Sequence, residues 1–379
     1  MSPTILVRAD ATVSMGTGHV MRGLGLAQAW RTYANGRAVF CCAHIPEALE
    51  RRIKDEGFEV ISVSDAHDAS ATLDSAAKCG AVWTVVDGYH FRDTYAEALV
   101  RGGQKVLIAD DDGQGHVGAA SIVWNQNIHA KQEDYVNIGP ATRLLLGCRY
   151  AVLRSEFRQF AGQSRTAREQ ANRVLVTLGG SDPDNVTKKV IDALAEEPRF
   201  DVIVVAGGGN PHLAALREAT DRARGQIRLV CDVQEMSELI QWADVGVVAG
   251  GSTSWEFLCL GLPSVTLTLA ANQRPNADAL AAAGLTDALG AGVSVSGQSI
   301  TTALMHLAED HALRQARTEA GQGVVDGRGA ERVVNALSGD TLVFRPLEHR
   351  DSQQVWLWAN EGETRQASFS SEPIVWSEH

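Results

Sequence analysis

Residues Thr4 to Arg22 read T-I-L-V-R-A-D-A-T-V-S-M-G-T-G-H-V-M-R. The run Thr4–Val7 is short and apolar with β-branched residues, which is typical of a buried strand. From His19 onward apolar residues recur at helical spacing, so the stretch predicts a strand, a glycine-containing loop and a helix. Glycine lets backbone N–H groups approach a ligand closely, and a helix start adds partial positive charge. We therefore expect a ligand near Gly16 and Gly18, with His19 over the carboxyl edge of the sheet.

A second interpretation of this loop needs no ligand. A lone G-x-G after a first strand often makes only a tight turn, and a histidine at a helix start is often a solvated cap. This stretch alone leaves both interpretations open.

Predicted strands and helices alternate along the chain, as expected for an α/β protein with parallel sheets and right-handed crossovers. The charged, glutamine-rich segment Arg158–Asn172 separates two such sets and is the predicted linker. We therefore predict two Rossmann-like domains, residues 1–160 and 171–337, that face each other across a ligand cleft. The predicted strands are Thr4–Val7, Arg37–Ala43, Glu59–Val63, Val82–Val86, Lys105–Ala109, Ser121–Trp124, Arg173–Leu178, Phe200–Val205, Ile227–Cys231, Asp244–Val248 and Ser264–Thr268.

Polar residues follow three successive predicted strands of the first set. They are Asp87-Gly88-Tyr89, the run from Asp110 to Gly113, and Asn125-Gln126-Asn127. Because the carboxyl ends of parallel strands meet at one edge, these groups are expected to face the cleft. Any one of them could equally be turn chemistry, since Asp, Asn and Gly dominate turns. Three in succession on the same edge favour a site.

A second glycine-containing motif, A-G-G-S-T-S-W-E, covers Ala249–Glu256. It follows a predicted strand and opens a helix, so the N–H groups of Ser252 and Thr253 could hold a diphosphate. Thr253 and Glu256 also fit a capping box, which needs no ligand. Asp182-Pro183 is similarly ambivalent, because it also fits a helix N-cap followed by proline.

Composition and net charge exclude several classes of protein. Of the 379 residues, 45% are hydrophobic and 21% charged, and the net charge of −12 argues against a nucleic-acid partner. Six cysteines without a C-x-x-C pair indicate neither a zinc site nor a disulfide framework, so we expect free thiols, no metal and no cofactor. No apolar run reaches membrane-spanning length and no signal-peptide pattern precedes the first strand, so we expect a cytoplasmic protein without a membrane partner.

Several of these motifs together resemble known families. The stretch Met236–Gly284 resembles the nucleotide-binding half of glycosyltransferase-B proteins that use donors of the UDP-N-acetylglucosamine type. The N-terminal R-A-D-A-T-V-S-M-G-T-G-H-V-M-R, the segment Tyr150–Phe157 (Y-A-V-L-R-S-E-F) and Gly179-Gly180-Ser181-Asp182 resemble a narrower family. That family comprises the UDP-2,4-diacetamido-2,4,6-trideoxy-β-L-altropyranose hydrolases of pseudaminic acid biosynthesis. The likeness covers about residues 4 to 337.

The resemblance implies a hydrolase that releases UDP by water attack at the anomeric carbon, with inversion. At the matching positions it implies His19 as the general base and Tyr89 near the reacting centre. Gly88 departs from the family, which carries a bulkier residue there.

The resemblance also implies how the substrate is bound. Glu256 would contact the ribose hydroxyls, Val233 the uracil, and Ser181 with the Ser252–Thr253 helix start the diphosphate. The full set of expected substrate contacts is Gly16, Gly18, Arg22, Asn127, Arg154, Gly180, Ser181, Val233, Ser252, Thr253, Glu256, Asn272 and Gln273.

Two other functions fit the same pattern. A glycosyltransferase with a UDP-N-acetylhexosamine donor would pass the sugar to an acceptor other than water. A non-catalytic UDP-sugar-binding protein would leave the sugar intact after long incubation.

Residues 341–379 fall outside both predicted domains. Leu342–Asn360 resembles the opening strand and helix of GCN5-related N-acetyltransferases, but no glycine-rich acetyl-CoA loop follows. About 40 residues cannot bury a core alone, so we expect this fragment to dock weakly or to lack regular structure. Weak self-association is expected from its exposed aromatic residues Trp356, Trp358, Phe369 and Trp376.

Overall fold

The computed structural model describes residues 2–12, 15–91, 93–111, 113, 117–136, 138–180, 182–223, 226–339, 352–360, 364–365 and 374–375. The chain divides into two units, residues 1–339 and 340–379, and each is described by itself.

The first half of the larger unit is a seven-stranded parallel sheet covered by helices. Its strands are β1 (Thr4–Ala9), β2 (Arg37–Cys42), β3 (Glu59–Ser62), β4 (Ala81–Asp87), β5 (Val106–Ala109), β6 (Ile122–Asn125) and β7 (Arg143–Leu146). They lie in the order β3-β2-β1-β4-β5-β6-β7. The chain therefore changes direction across the sheet between β1 and β4, and open α/β sheets bind their ligands at such a point. The helices are α1 (Gly18–Tyr33), α2 (Glu47–Asp55), α3 (Ala69–Cys79), α4 (Asp93–Arg101) and α5 (Ser155–Arg158).

The second half repeats this plan with six parallel strands. They are β8 (Arg173–Thr177), β9 (Asp201–Ala206), β10 (Ile227–Cys231), β11 (Val245–Ala249), β12 (Ser264–Thr268) and β13 (Thr286–Ala291), in the order β10-β9-β8-β11-β12-β13. The glycine motifs after β8 and β11 thus flank the direction change of this sheet. The helices are α6 (Val186–Leu194), α7 (Leu213–Arg222), α8 (Met236–Trp242), α9 (Thr253–Cys259), α10 (Arg274–Ala282), α11 (Gly297–Glu309), α12 (His311–Val324) and α13 (Gly329–Ser338).

The predicted architecture of two Rossmann-like domains with parallel sheets is confirmed, and two strands absent from the prediction are the edge strands β7 and β13. Residues of β7 and β13 are only partly buried, in contrast to the fully buried β1 and β11. An edge strand has one neighbour and more solvent, so its sequence lacks the continuous apolar run of a central parallel strand.

The last helix of the larger unit returns to the first sheet, although its residues fall in the range predicted for the second domain. Ala330, Val333 and Val334 of α13 belong to the same hydrophobic core as β1 and α1. The indole Nε1 of Trp83 donates to the carbonyl oxygen of Leu337 at 2.8 Å. The two halves are therefore tied together by this helix as well as by the linker.

The segment predicted as a linker is fastened to the second half. After α5, residues 159–172 form neither helix nor strand. The Arg165 guanidinium donates to the carbonyl oxygens of Ile240 at 3.0 Å and Ala243. Burial lowers the pKa of Arg165 to about 10, which still leaves the group charged at neutral pH.

The ambivalent Asp182 is a helix cap in the structure. Its carboxylate accepts the backbone N–H groups of Val186 at 3.0 Å and Thr187 at 2.7 Å, the first residues of α6. The helix begins at Val186 instead of at Pro183, with Asn185 as its N-cap residue, so the Asp182 carboxylate binds the helix start from four residues before it.

Within the smaller unit the structure describes the helix α14 (Ser352–Ala359). Trp356 Nε1 donates to the carbonyl oxygen of Ile374 at 2.7 Å, and Asn360 also binds the Ile374 backbone. Trp358 is 57% exposed. Phe369 and Trp376 lie outside the described residues, and self-association through the tail stays a prediction.

All six cysteines are free, and burial raises the pKa of Cys42, Cys148 and Cys259 to about 12. Among the helices in the described ranges, none combines the length and apolar character needed to cross a bilayer.

The start of α13 gives a test of this packing. A Cβ atom added at Gly329 would lie 2.2 Å from the backbone oxygen of Ala151, so Gly329→Ala must push two backbone segments apart. We expect it to lower the free energy of unfolding by roughly 1–3 kcal/mol, measured by denaturant unfolding followed by circular dichroism.

Gly323→Ala in α12 is the matched control. A Cβ there has no neighbour within 4 Å, and alanine in a helix interior is roughly 0.5–1 kcal/mol more favourable than glycine. Equal stability of the two variants would contradict the close packing of α13 on the first half.

Candidate active site

The proposed catalytic histidine lies where the first sheet changes direction. His19 is the second residue of α1, reached from β1, and Asp87 is the last residue of the neighbouring strand β4. His19 Nδ1 lies 2.7 Å from Asp87 Oδ1, and the two residues are only 8% and 1% exposed. The strand order thus brings together two residues that are 68 positions apart in the chain.

Arg22, one helical turn after His19, joins Asp87 to a second carboxylate. Its Nε and Nη2 donate to the two Asp87 oxygens, each at 2.7 Å. Its Nη1 and Nη2 donate to the two Asp111 oxygens at 2.6 and 3.0 Å. The guanidinium therefore makes bidentate contacts with both carboxylates. Arg22 was expected at the substrate; in the structure it holds the acids beside His19, and a substrate contact stays a prediction.

The charge state of Asp87 fixes the tautomer of His19. Burial works against ionisation of Asp87, but the positive charge of Arg22 and the contact with His19 outweigh it and hold its pKa below the usual range. An ionised carboxylate can only accept a hydrogen bond, so Nδ1 of His19 must carry the hydrogen. In the neutral imidazole, Nε2 then has the free lone pair and can take a proton.

Tyr89 links this cluster to the second half. Its hydroxyl donates to Asp111 Oδ2 at 3.0 Å and accepts from Asn272 Nδ2 at 2.9 Å, while its ring packs edge-on against His19 with centroids 4.8 Å apart. Asn127 donates to Asp111 Oδ1 at 3.2 Å. Five predicted residues from both halves thus share one hydrogen-bonded cluster: His19, Arg22, Tyr89, Asn127 and Asn272.

A second polar contact between the halves involves Arg154. Its Nη2 donates to Glu256 Oε1 of α9 at 3.1 Å, and its Nη1 lies 2.8 Å from Glu156 Oε1. Burial raises the pKa of Glu156 to about 7; Glu256 adds to the rise, and Arg154 opposes it. The charge of Arg154 therefore does not offset the effect of burial on Glu156.

The structure does not contain the capping box that Thr253 and Glu256 could form at the start of α9. The N-cap of α9 is Ser252, without a side-chain cap hydrogen bond, and Thr253 is the first helical residue. The Glu256 side chain pairs with Arg154 across the halves. The carboxylate is thus directed to a partner outside its own helix.

The third contact lies at the loop after β10. Arg52 of α2 donates from Nη1 to the carbonyl oxygen of Val233 at 3.5 Å and from Nη2 to that of Gln234 at 3.3 Å.

The remaining predicted positions lie in loops or at helix starts at the facing sheet edges. A Cβ at Gly180 would lie 3.2 Å from Thr17 Oγ1, so the glycine loops of the two halves approach each other closely there. Gly16 has a positive φ of 75°, and a Cβ at Gly16 or Gly18 would have no neighbour within 4 Å. The Gln273 side chain accepts the Leu269 N–H at 2.9 Å, within its own loop. Ser181 lies outside the described residues.

Asp87 and Asp111 were predicted to face the cleft but had no individual role, and Arg52 and Glu156 were absent from the list of predicted site residues. Asp87 and Asp111 carried a usable signal, because each follows a strand of the first sheet and the predicted cleft faces that edge. Glu156 lies within the Tyr150–Phe157 motif but had no assigned role, and Arg52 carried no signal because it lies in a charged helix that is ordinarily solvated. The described residues contain no group of three or more His, Cys, Asp or Glu side chains arranged to hold a metal ion.

The fold has close neighbours among solved structures. MurG of Acinetobacter baumannii has a TM-score of 0.62 at 13% identity, covering 89% of this chain and 99% of that one. The Staphylococcus aureus MnaA–UDP co-structure has a TM-score of 0.63 at 12% identity, covering 92% and 100%. At such identities the likeness establishes the fold alone, which is glycosyltransferase-B-like.

Comparison of sequences finds several related proteins, although no protein-family profile matches the chain. An uncharacterized protein of Methanocaldococcus jannaschii is 28% identical over 270 residues, 69% of this chain, which spans only 55% of that relative's length. The UDP-2,4-diacetamido-2,4,6-trideoxy-β-L-altropyranose hydrolase of Campylobacter jejuni is 25% identical over 283 residues, 74% of this chain and 97% of that protein. These comparisons lend no support to the acetyltransferase-like resemblance of residues 341–379.

The spore coat polysaccharide biosynthesis protein SpsG of Bacillus subtilis is 30% identical over 236 residues, which are 62% of this chain and 69% of that protein. The chain therefore belongs to the family of SpsG.

Proposed function

We propose that this protein is an enzyme acting on UDP-sugars, and specifically a hydrolase that releases UDP from a UDP-2,4-diacetamido-2,4,6-trideoxyhexose. The observation that carries the proposal is the buried pair of His19 and Asp87, 2.7 Å apart, at the point where the first sheet changes direction. The similarity to the Campylobacter jejuni hydrolase, which extends over nearly all of that protein, supports the same substrate class.

In the proposed reaction, water attacks the anomeric carbon from the face opposite UDP. As the new carbon–oxygen bond forms, neutral His19 takes a proton from the water at Nε2. The bond between the anomeric carbon and the diphosphate oxygen breaks, and its electron pair leaves with UDP. The products are UDP and the free sugar with inverted configuration.

Asp87 is proposed to assist this step without exchanging a proton. It keeps the hydrogen on Nδ1 and stabilises the imidazolium that forms. General-base assistance of this kind contributes about 10²–10⁴ in rate.

The proposed substrate contacts are distributed over the facing edges of the two sheets. Backbone N–H groups of Ser252 and Thr253 would bind the diphosphate, with Glu256 at the ribose and the Val233 loop at the uracil. Tyr89 and Asn272, already joined by a 2.9 Å hydrogen bond, would contact the sugar near the reacting carbon. In this arrangement Gly16 and Gly18, whose Cβ positions have no neighbour within 4 Å, leave room for the ligand, and Gly180 would contact it from the second half.

A glycosyltransferase is the second candidate, because solved structures with this fold include MurG and a UDP-glucosyltransferase from Polygonum tinctorium. It would use the same nucleotide contacts and pass the sugar to an acceptor hydroxyl. Incubation with a panel of UDP-sugars, with and without candidate acceptors, separates the two by UDP release and by NMR of the freed sugar. If UDP is released only when an acceptor is present, the protein is a glycosyltransferase and the hydrolase proposal is wrong.

His19→Ala tests the proposed base. We expect the variant to keep its affinity for UDP, measured by calorimetry, while its turnover falls by about 10²–10⁴. His306→Ala, at an exposed position of α11, is the control and is expected to match the wild type. Turnover of His19→Ala close to the wild-type value would remove His19 from the mechanism.

Asp87→Asn tests the tautomer argument. An amide can donate to Nδ1 and leave the hydrogen on Nε2, so we expect kcat to fall by about 10²–10⁴, as for loss of the base. The affinity for UDP is expected to stay near the wild-type value, because Asp87 is placed at His19 and Arg22 and not at the nucleotide. An unchanged kcat would contradict the role of Asp87.

The stability of Asp87→Asn relative to the wild type is expected to depend on pH. The pKa of Asp87 is lowered in the folded state, so its ionised form stabilises the fold above the ordinary aspartate pKa of about 4. This stabilisation is lost as the pH falls further toward the folded-state pKa. We therefore expect Asp87→Asn to be less stable than the wild type at pH 7, with a difference that shrinks below about pH 4. Denaturant unfolding across this pH range measures it, and a pH-independent difference would contradict the assignment.

A further inference from the structure

Arg52 holds a loop of the second half from a helix of the first. Its Nη1 and Nη2 donate to the carbonyl oxygens of Val233 and Gln234 at 3.5 and 3.3 Å. These residues follow β10, at the carboxyl edge of the second sheet.

The loop is also held from within its own half. Asp232 has a φ of +52°, in the left-handed region that non-glycine residues rarely adopt, and its Oδ1 accepts the Gly208 N–H at 2.9 Å. A backbone conformation of this kind persists only where its surroundings fix it. Asp232 and Arg52 together therefore constrain the direction of the backbone groups that follow β10.

Arg52 is a partly buried arginine whose guanidinium is not fully hydrogen-bonded. Its Nε is buried without a hydrogen-bond partner, and the nearest oxygen of Glu56 is 3.8 Å away. Burial, with Arg154 adding to the effect, lowers the pKa of Arg52. A partly buried guanidinium that is not fully paired destabilises the folded protein. Its presence at this position therefore favours a role in ligand binding.

We propose that Arg52 is a positioning residue for nucleobase selection, which aligns the Val233 loop so that its backbone distinguishes uracil from cytosine. The inference rests on the proposed function, in which this loop lies at the uracil. A carbonyl oxygen has two lone pairs, so Val233 can accept from Arg52 and from the N3–H of uracil at the same time. Cytosine has no hydrogen at N3, and its exocyclic amino group replaces the O4 acceptor, so an aligned loop rejects it.

The test measures UDP and CDP binding to the full chain by calorimetry for the wild type, Arg52→Gln, Arg52→Lys and Arg51→Gln. We expect Arg52→Gln to weaken UDP about tenfold, the size of one charge-assisted hydrogen bond, and to weaken CDP much less. The preference for UDP over CDP then falls, KM rises and kcat at saturation stays the same. Arg52→Lys keeps a donor and is expected to restore part of the preference.

Arg51→Gln is the matched control. Arg51 is the neighbouring residue on α2, is exposed, and pairs with Glu47 on the same helix at 2.6 Å, so its replacement is expected to change neither affinity.

The outcomes separate the inference from the proposed function. If wild-type protein binds no UDP and releases none from UDP-sugars, both fail. If UDP binds and Arg52→Gln weakens UDP and CDP equally, Arg52 only bridges the halves and the inference alone is overturned. If Arg52→Gln does not fold by circular dichroism, Arg52→Met, which keeps the apolar stem and removes every donor, takes its place. Wild-type UDP affinity and a wild-type preference for UDP in that variant overturn the inference.

Discussion

The Asp87 carboxylate, shared between His19 and Arg22, is the contact on which the rest of the site depends. It lies at the end of β4, where burial alone would favour the neutral acid, and the positive guanidinium of Arg22 keeps it ionised. A buried charge needs partners, and both of its partners come from the first two turns of α1. The same interaction therefore fixes the helix to the sheet and sets the protonation of the imidazole.

The cluster extends to the second half through a short chain of hydrogen bonds. Asp111 binds Arg22 and also accepts from Tyr89, whose hydroxyl in turn accepts from Asn272. Two further contacts, from Arg154 to Glu256 and from Arg52 to the Val233 loop, join the halves at other points of the groove. Each second-half partner is a group that the proposal assigns to the ligand. Binding of a nucleotide-sugar and closure of the halves would accordingly involve the same atoms.

The return of α13 to the first sheet makes the two halves mutually dependent. Its apolar face completes the core beside α1, the helix that carries His19 and Arg22. The approach at Gly329 leaves no room for a Cβ atom beside the Ala151 backbone, just before Arg154. Packing of the last helix of this unit thus supports both the cluster around His19 and the segment that carries Arg154.

The sequence by itself determined the parallel sheets, because central strands are buried on both faces and must be continuously apolar. It also placed the groups predicted to bind the ligand at strand ends. His19, Tyr89 and Asn272 were predicted at the site, and the structure brings them together. Only the tertiary structure decided that Asp87 and Asp111 bind Arg22, that Glu256 pairs with Arg154 and does not cap its helix, and that Arg52 reaches the Val233 loop. The physical reason is that periodicity encodes burial within one element. Polar contacts between residues 65 and 181 positions apart depend on strand order and on how the two halves meet, and neither leaves a local pattern in the sequence.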